Sequence, residues 1–139
     1  MEQLTKPAPG SGKLGRDVRA AERRAERRRE ERKAKLAEIA AAKQLRRLVW
    51  MRDGGKCRAC RTPVKLAGET LEVGHAHHVC FRSQGGENTT RNLAMLCVTC
   101  HMAAHNGMLE VVGDADGLLT VTQYEFSGGT RKVLRTWGS

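Results

Sequence analysis

Between Arg16 and about Met51 the chain has no Gly and no Pro, and Ala, Arg, Glu, Lys and Leu dominate it, a composition that predicts a helix. The pattern of apolar positions divides this helix in two. Its first half, RDVRAAERRAERRREERKAK, has almost no apolar stripe beyond Val18, Ala21 and Ala25, so it should stand in solvent or lie along a partner. Its second half adds Leu36, Ile39, Leu45, Leu48, Val49 and Trp50, which predicts an end that docks onto a core. Asp53-Gly54-Gly55 is a stop signal. Beyond it the apolar runs become short. Leu71–His75 reads as a strand leading into His77-His78, and Leu93–Leu96 as a second strand. Gly85-Gly86 marks a turn in the long loop between them, and Cys97–Asn106 fits a helix ended by Gly107. Met108–Gly113 and Leu118–Phe126 flank Asp114-Ala115-Asp116-Gly117, a hairpin signature. The last stretch, SGGTRKVLRTWGS, is ambiguous, with Trp137 a candidate to pack back on the domain.

The expected fold is therefore α+β. It divides into a flexible tail (1–15), rich in Gly and Pro, a basic helical arm (16–52), a compact module (53–107) and a C-terminal hairpin and tail (108–139). With 139 residues and 4% aromatics the core is small, and small cores need a staple. Charge sharpens the division. Residues 1–52 hold 16 Lys/Arg against 7 Asp/Glu, and the remainder holds 9 against 8. A concentrated cationic arm, with Arg23, Arg24, Arg27 and Arg28 at its centre, suits a polyanion. The plainer alternative is a solvated charged helix.

Cys57-Arg-Ala-Cys60 and Cys97-Val-Thr-Cys100 are two CxxC pairs. Two such pairs complete a closed tetrahedral shell, the usual structural zinc site; free or redox-active thiols are the alternative. No secretory apolar region precedes the cysteines, and no stretch approaches the roughly 18 apolar residues of a membrane span, so a reducing cytoplasmic setting is expected. Cys80 is unpaired and reads as a packing residue. Histidines supply the second constellation. His101 and His105 lie four apart, on one face of a helix, and Cys100 points about 100° away around the axis. One helix can then serve zinc on one side and another metal on the other. His77 and His78, adjacent on a strand, point to opposite faces, so one can bind metal and the other move a proton. His75 shares the face of His77 and reads as a residue without a role.

The stretch HHVCFRSQGGENTTRNLAMLCVTCHMAAH (77–105) resembles the HNH, or ββα-metal, endonuclease motif, and RDGGKCRAC with the CxxC pairs resembles its zinc-stabilised branch. The likeness spans about residues 44–107. It implies a phosphodiester hydrolase with His77 and His101 as ligands of a catalytic divalent metal; many relatives carry Asp where His77 stands. It implies His78 as general base and Asn92 as a structural residue holding the base in place. His105 matches a third histidine that holds metal or phosphate, and Arg82 is a candidate phosphate contact. Products would carry 5′-phosphate and 3′-hydroxyl ends. Cleavage must neutralise charge on phosphoryl and leaving oxygens, which a divalent metal does, and needs a base of near-neutral range, which histidine provides. The metal stays open among magnesium, manganese, nickel and zinc, since a histidine-rich set leans away from magnesium. DNA is the expected substrate, with RNA as an alternative, in a bacterial or phage-infected cell. Two other readings compete with it. One is a catalytically silent zinc module that binds nucleic acid. The other is a phage packaging accessory whose arm binds protein.

Overall fold

The computed structural model describes residues 12–67 and 72–138. The expected tail up to residue 11, and Leu71 of the expected first strand, lie outside them. The chain divides into two compact units, Met1–Ala40 and Ala41–Ser139. Helix α1, Lys13–Arg52, contributes to both.

Within the first unit α1 begins at Lys13 and includes Gly15, three residues before the Arg16 expected from composition. One Gly costs a helix about 1 kcal/mol, too little to stop one this rich in good formers. Its residues are almost all exposed, Leu36 (59%) and Ile39 (56%) among them, and Arg27 pairs with Glu31 one turn on at 3.4 Å. The apolar pattern assigns Leu36 and Ile39 to a docked face, and the structure does not place them on one. Two apolar side chains isolated among charges bury nothing here.

In the second unit the core starts at Leu45. Val49 is fully buried, Leu45 and Trp50 are partly so, and Leu48 remains half-exposed. The Trp50 indole N–H donates to the Val64 carbonyl at 2.8 Å. The helix stops after Arg52, with Gly54 and Gly55 both at φ 65°. Asp53, 5% exposed, then acts as a hub. It accepts from Arg52 (2.8 Å), from Arg58 (3.0 Å) and from the Met95 amide (2.8 Å). A buried carboxylate survives only when so paired.

Strand β1, His75–His78, pairs antiparallel with β2, Leu93–Leu96, so that His77 lies opposite Ala94 and His78 opposite Leu93. The strand thus starts at His75 and contains both catalytic candidates instead of leading into them. All four β2 residues are buried. Helix α2, Val98–His105, follows at once, and Gly107 at φ 71° closes it. The expected hairpin forms as β3, Leu109–Gly113, and β4, Leu119–Ser127. A third strand, β5, Thr130–Gly138, extends it into a meander. Gly128 and Gly129, both with positive φ, supply the two-residue turn that a right-twisted hairpin favours. Trp137 does pack back: its indole N–H donates to the Ala59 carbonyl at 3.1 Å. Among the described residues no helix is long and apolar enough to cross a membrane.

Candidate active site

The cysteines converge first. The Sγ atoms of Cys57, Cys60, Cys97 and Cys100 all lie within 4.8 Å of one another. Cys60 and Cys97 sulfurs are 3.6 Å apart, against about 3.8 Å for two thiolates on one tetrahedral zinc with 2.3 Å bonds. Each pair is shaped as a metal knuckle. The Cys60 amide points at the Cys57 sulfur and the Cys100 amide at the Cys97 sulfur, both at 3.5 Å. Cys97 is also the N-cap of α2, so the same sulfur that would meet a metal satisfies a free helix amide. The Cys100 thiol and nearby amides favour a thiolate at Cys57 and pull it down to about 4, while the same contact pushes Cys100 up. The donors therefore fit a metal ion by spacing and chemistry. Cys80 is exposed on the loop after β1 and belongs to neither this group nor the next.

The histidines converge on the other side of α2. Ring nitrogens of His77, His101 and His105 also lie within 4.8 Å of one another. His101 and His105 approach Nε2 to Nε2 at 3.2 Å, as residues one turn apart can. The His77 ring meets both edge-on, with centroids 5.6 Å away. His77 is 4% exposed. Burial, then the neighbouring imidazoles, lower it to about 4, and burial lowers His101 as well. Both are held neutral, the state in which imidazole donates a lone pair to metal. Three imidazoles without a carboxylate suit zinc, nickel, cobalt or manganese better than magnesium.

His78 points elsewhere. Its Nε2 lies 2.8 Å from Asn88 Oδ1, and it is absent from the three-histidine group. With the Asn88 amide oxygen as acceptor, Nε2 is the donor in this pair. Asn88 is a site residue that the sequence does not announce, because an Asn in a polar loop carries no spacing signal. Asn92 fastens the same loop. Its Oδ1 accepts from the Cys80 amide at 2.7 Å, and its Nδ2 donates to the carbonyls of Cys80 (3.0 Å) and Glu87 (2.9 Å). Gly86 passes so close to the Cys80 carbonyl that a Cβ there would collide with the oxygen. The Gly pair and Asn92 therefore serve one compact loop geometry. Phe81, likewise unmarked in the sequence, sets its ring edge-on to His77 at 5.5 Å. His75 stacks on His101 at 4.8 Å.

Arg82, on a 3₁₀ turn (Arg82–Gln84), lines a cavity of about 480 Å³ together with His78, Asn88 and His101. Arg23, Arg24, Arg27 and Arg28 lie in the first unit, all exposed on α1.

An antiparallel strand pair, a loop and a helix that together carry clustered histidines, braced by four cysteines, are the marks of a ββα-metal nuclease module. Residues 57–107 match the family model described as HNH endonuclease, and this segment is an HNH endonuclease domain. A domain of this family implies nuclease-type activity on nucleic acid. No curated protein and no solved structure matches the chain.

Proposed function

We propose that the protein is a metal-dependent endonuclease that hydrolyses DNA phosphodiester bonds, with His78 as general base. The observation that carries this reading is the division of labour among the histidines. His77, His101 and His105 gather their nitrogens at one point, whereas the neighbouring His78 is turned away from them and held by Asn88. A binding module has no need of an oriented fourth imidazole.

His77, His101 and His105 would hold a divalent metal, which supplies charge neutralisation at the phosphoryl and leaving oxygens. His78, donating through Nε2 to Asn88, presents Nδ1 to a water and takes its proton as that water's oxygen bonds to phosphorus. The P–O3′ bond breaks, and the 3′ oxygen leaves to take up a proton. The products are a 5′-phosphate and a 3′-hydroxyl. Asn92 keeps the loop, and with it Asn88, in register with β1. Cys57, Cys60, Cys97 and Cys100 would hold a structural zinc with no open position. Arg23, Arg24, Arg27 and Arg28 would meet DNA phosphates as an exposed cationic surface, and Arg82, in the cavity that His78 lines, would meet a phosphate there.

The test is plasmid nicking by protein depleted of loosely held metal, adding magnesium, manganese, cobalt, nickel or zinc one at a time. Nicking restored by at least one metal, and abolished in His78→Ala with that metal saturating, is the expected result. Failure of every metal, or full activity in His78→Ala, overturns the mechanism.

A further inference from the structure

The cavity beside His78 has a wall that takes no part in proton transfer or metal binding. It is built within the second unit from the last turns of α1 and the start of β1, and Arg46 reaches into it. Arg46 is half-buried. Its Nη2 donates to the Gly74 carbonyl at 2.8 Å, which ties the guanidinium to the entrance of β1. Its Nε is buried with no hydrogen-bond partner among the described residues. No carboxylate among them pairs with it either. This sets it apart from the other half-buried arginines of the domain, because Arg52 and Arg58 are both paired with Asp53.

A guanidinium drawn partly out of water without a counter-ion is costly in the free protein. The surroundings do nothing to relieve it. None of the residues lining the cavity is acidic, and Arg82 brings a second cation. His75 adds a buried Nε2 that also has no partner among the described residues. At about 480 Å³ the cavity is in the range of small-ligand sites and admits more than a lone ion. Its wall beside Arg46 is apolar, formed by Ala42, Leu45 and Leu93.

We propose that Arg46 is a substrate-positioning residue: it binds a DNA phosphate neighbouring the scissile one, with the attached sugar lying against the apolar wall. The proposal rests on the nuclease reading for which phosphate is scissile, though not for the existence of the anion site. Anchored through Gly74, Arg46 holds the strand in register with His78, which stands in the same cavity. Arginine suits the task because its planar fork can bind backbone carbonyl and phosphate oxygen together.

The experiment measures affinity of a fluorescein-labelled 12-base-pair DNA duplex by anisotropy, as a function of salt, in a His78→Ala background so that the DNA stays uncut. Arg46→Gln keeps an amide donor for the Gly74 carbonyl and removes the charge. It is expected to weaken binding by about tenfold at 0.1 M salt and to reduce the slope of log K against log salt by about 1, as neutralising one fewer phosphate requires. Arg46→Lys should keep the slope while surrendering part of the affinity. Thermal melting and zinc content of each variant identify any that has unfolded, and Arg46→Lys then carries the comparison with the parent. An unchanged affinity and slope in folded Arg46→Gln overturns the proposal, as does absence of measurable duplex binding by the parent. Plasmid nicking failing under every metal, with the Arg46 effect on binding intact, would sink the nuclease reading and leave the anion site standing.

Discussion

At the residue scale the two adjacent histidines of β1 should behave differently. His78→Ala removes proton transfer alone, so zinc content, melting temperature and DNA affinity should stay near wild type while cleavage falls by about 10²–10⁴-fold. His77→Ala should lose activity partly through weaker metal binding, so titrating metal in a nicking assay recovers some of it, whereas His78→Ala does not respond. Asn88→Ala should lower kcat by about tenfold without moving zinc content, since it frees the His78 ring that Asn88 now holds at 2.8 Å. The burial of His77 has its own signature. In metal-free protein its ring should remain neutral as pH falls from 7 to 5, read by nitrogen shifts in NMR, because its titration is lowered to about 4. The sign follows from linkage. The unfolded chain takes up the proton near pH 6.5, so this histidine's contribution to stability is full above that pH and is lost as pH falls towards 4. The cysteine pairs and the His101–His105 pair were legible as candidate ligands from their spacing, three apart in a knuckle and four apart on a helix, whereas His77 was assigned as a ligand only through the family resemblance. Asn88 and Arg46 were not legible, since each acts through a partner 10 or 28 residues away and nothing in the local pattern marks it.

At the scale of elements, the hub at Asp53 decides how α1 meets the sheet. Asp53→Ala removes the buried carboxylate that Arg52, Arg58 and the Met95 amide share, leaving Arg52 to Asp116 and backbone carbonyls and Arg58 to the Ala115 carbonyl. Removing one partner from a buried charged network costs about 3–5 kcal/mol, which urea unfolding of the zinc-loaded protein should show as a large drop in midpoint at unchanged slope. In the sequence Asp53 is legible only as the first residue of a helix stop. It is that, but its main contacts come from β2 and from the knuckle, which no stop signal reveals. The helix, strand β2 and the first hairpin were legible from their apolar positions, whereas β1 was expected to end at His75, where the observed strand begins. Strand β5 was not legible, though Gly128-Gly129 announced a turn. All of β5 but Trp137 is exposed, so its side chains never had to alternate.

At the scale of the whole molecule, affinity and chemistry should separate along the chain. Deleting residues 1–35 removes the exposed arginine run and is expected to flatten the salt dependence of DNA binding and raise the protein needed for cutting, with the catalytic metal preference unchanged. A salt slope that stays the same in gel-shift titrations would assign the arm to a protein partner. The two metal groups should separate as well. Cys57→Ser should lose the tightly held zinc and much of the fold, whereas His105→Ala should keep both, as atomic absorption and circular dichroism can show. The leaning toward nucleic acid was readable from charge alone, but the arm's charge could not locate the histidine cluster.

One small helix bears on how the molecule comes into being. Helix α2 has eight residues, begins on a cysteine of one group and carries two histidines of the other. A segment of that length does not hold itself in water. Its histidines are spaced for a shared ligand only once the turns are formed, and the turns are braced by the sulfurs. On the proposed reading, a metal held by the cysteines would order the turns that bring the two imidazoles together. On that reading a chain whose cysteines hold no metal would carry every candidate ligand yet lack the geometry that lets two imidazoles share one, a delay written into eight positions.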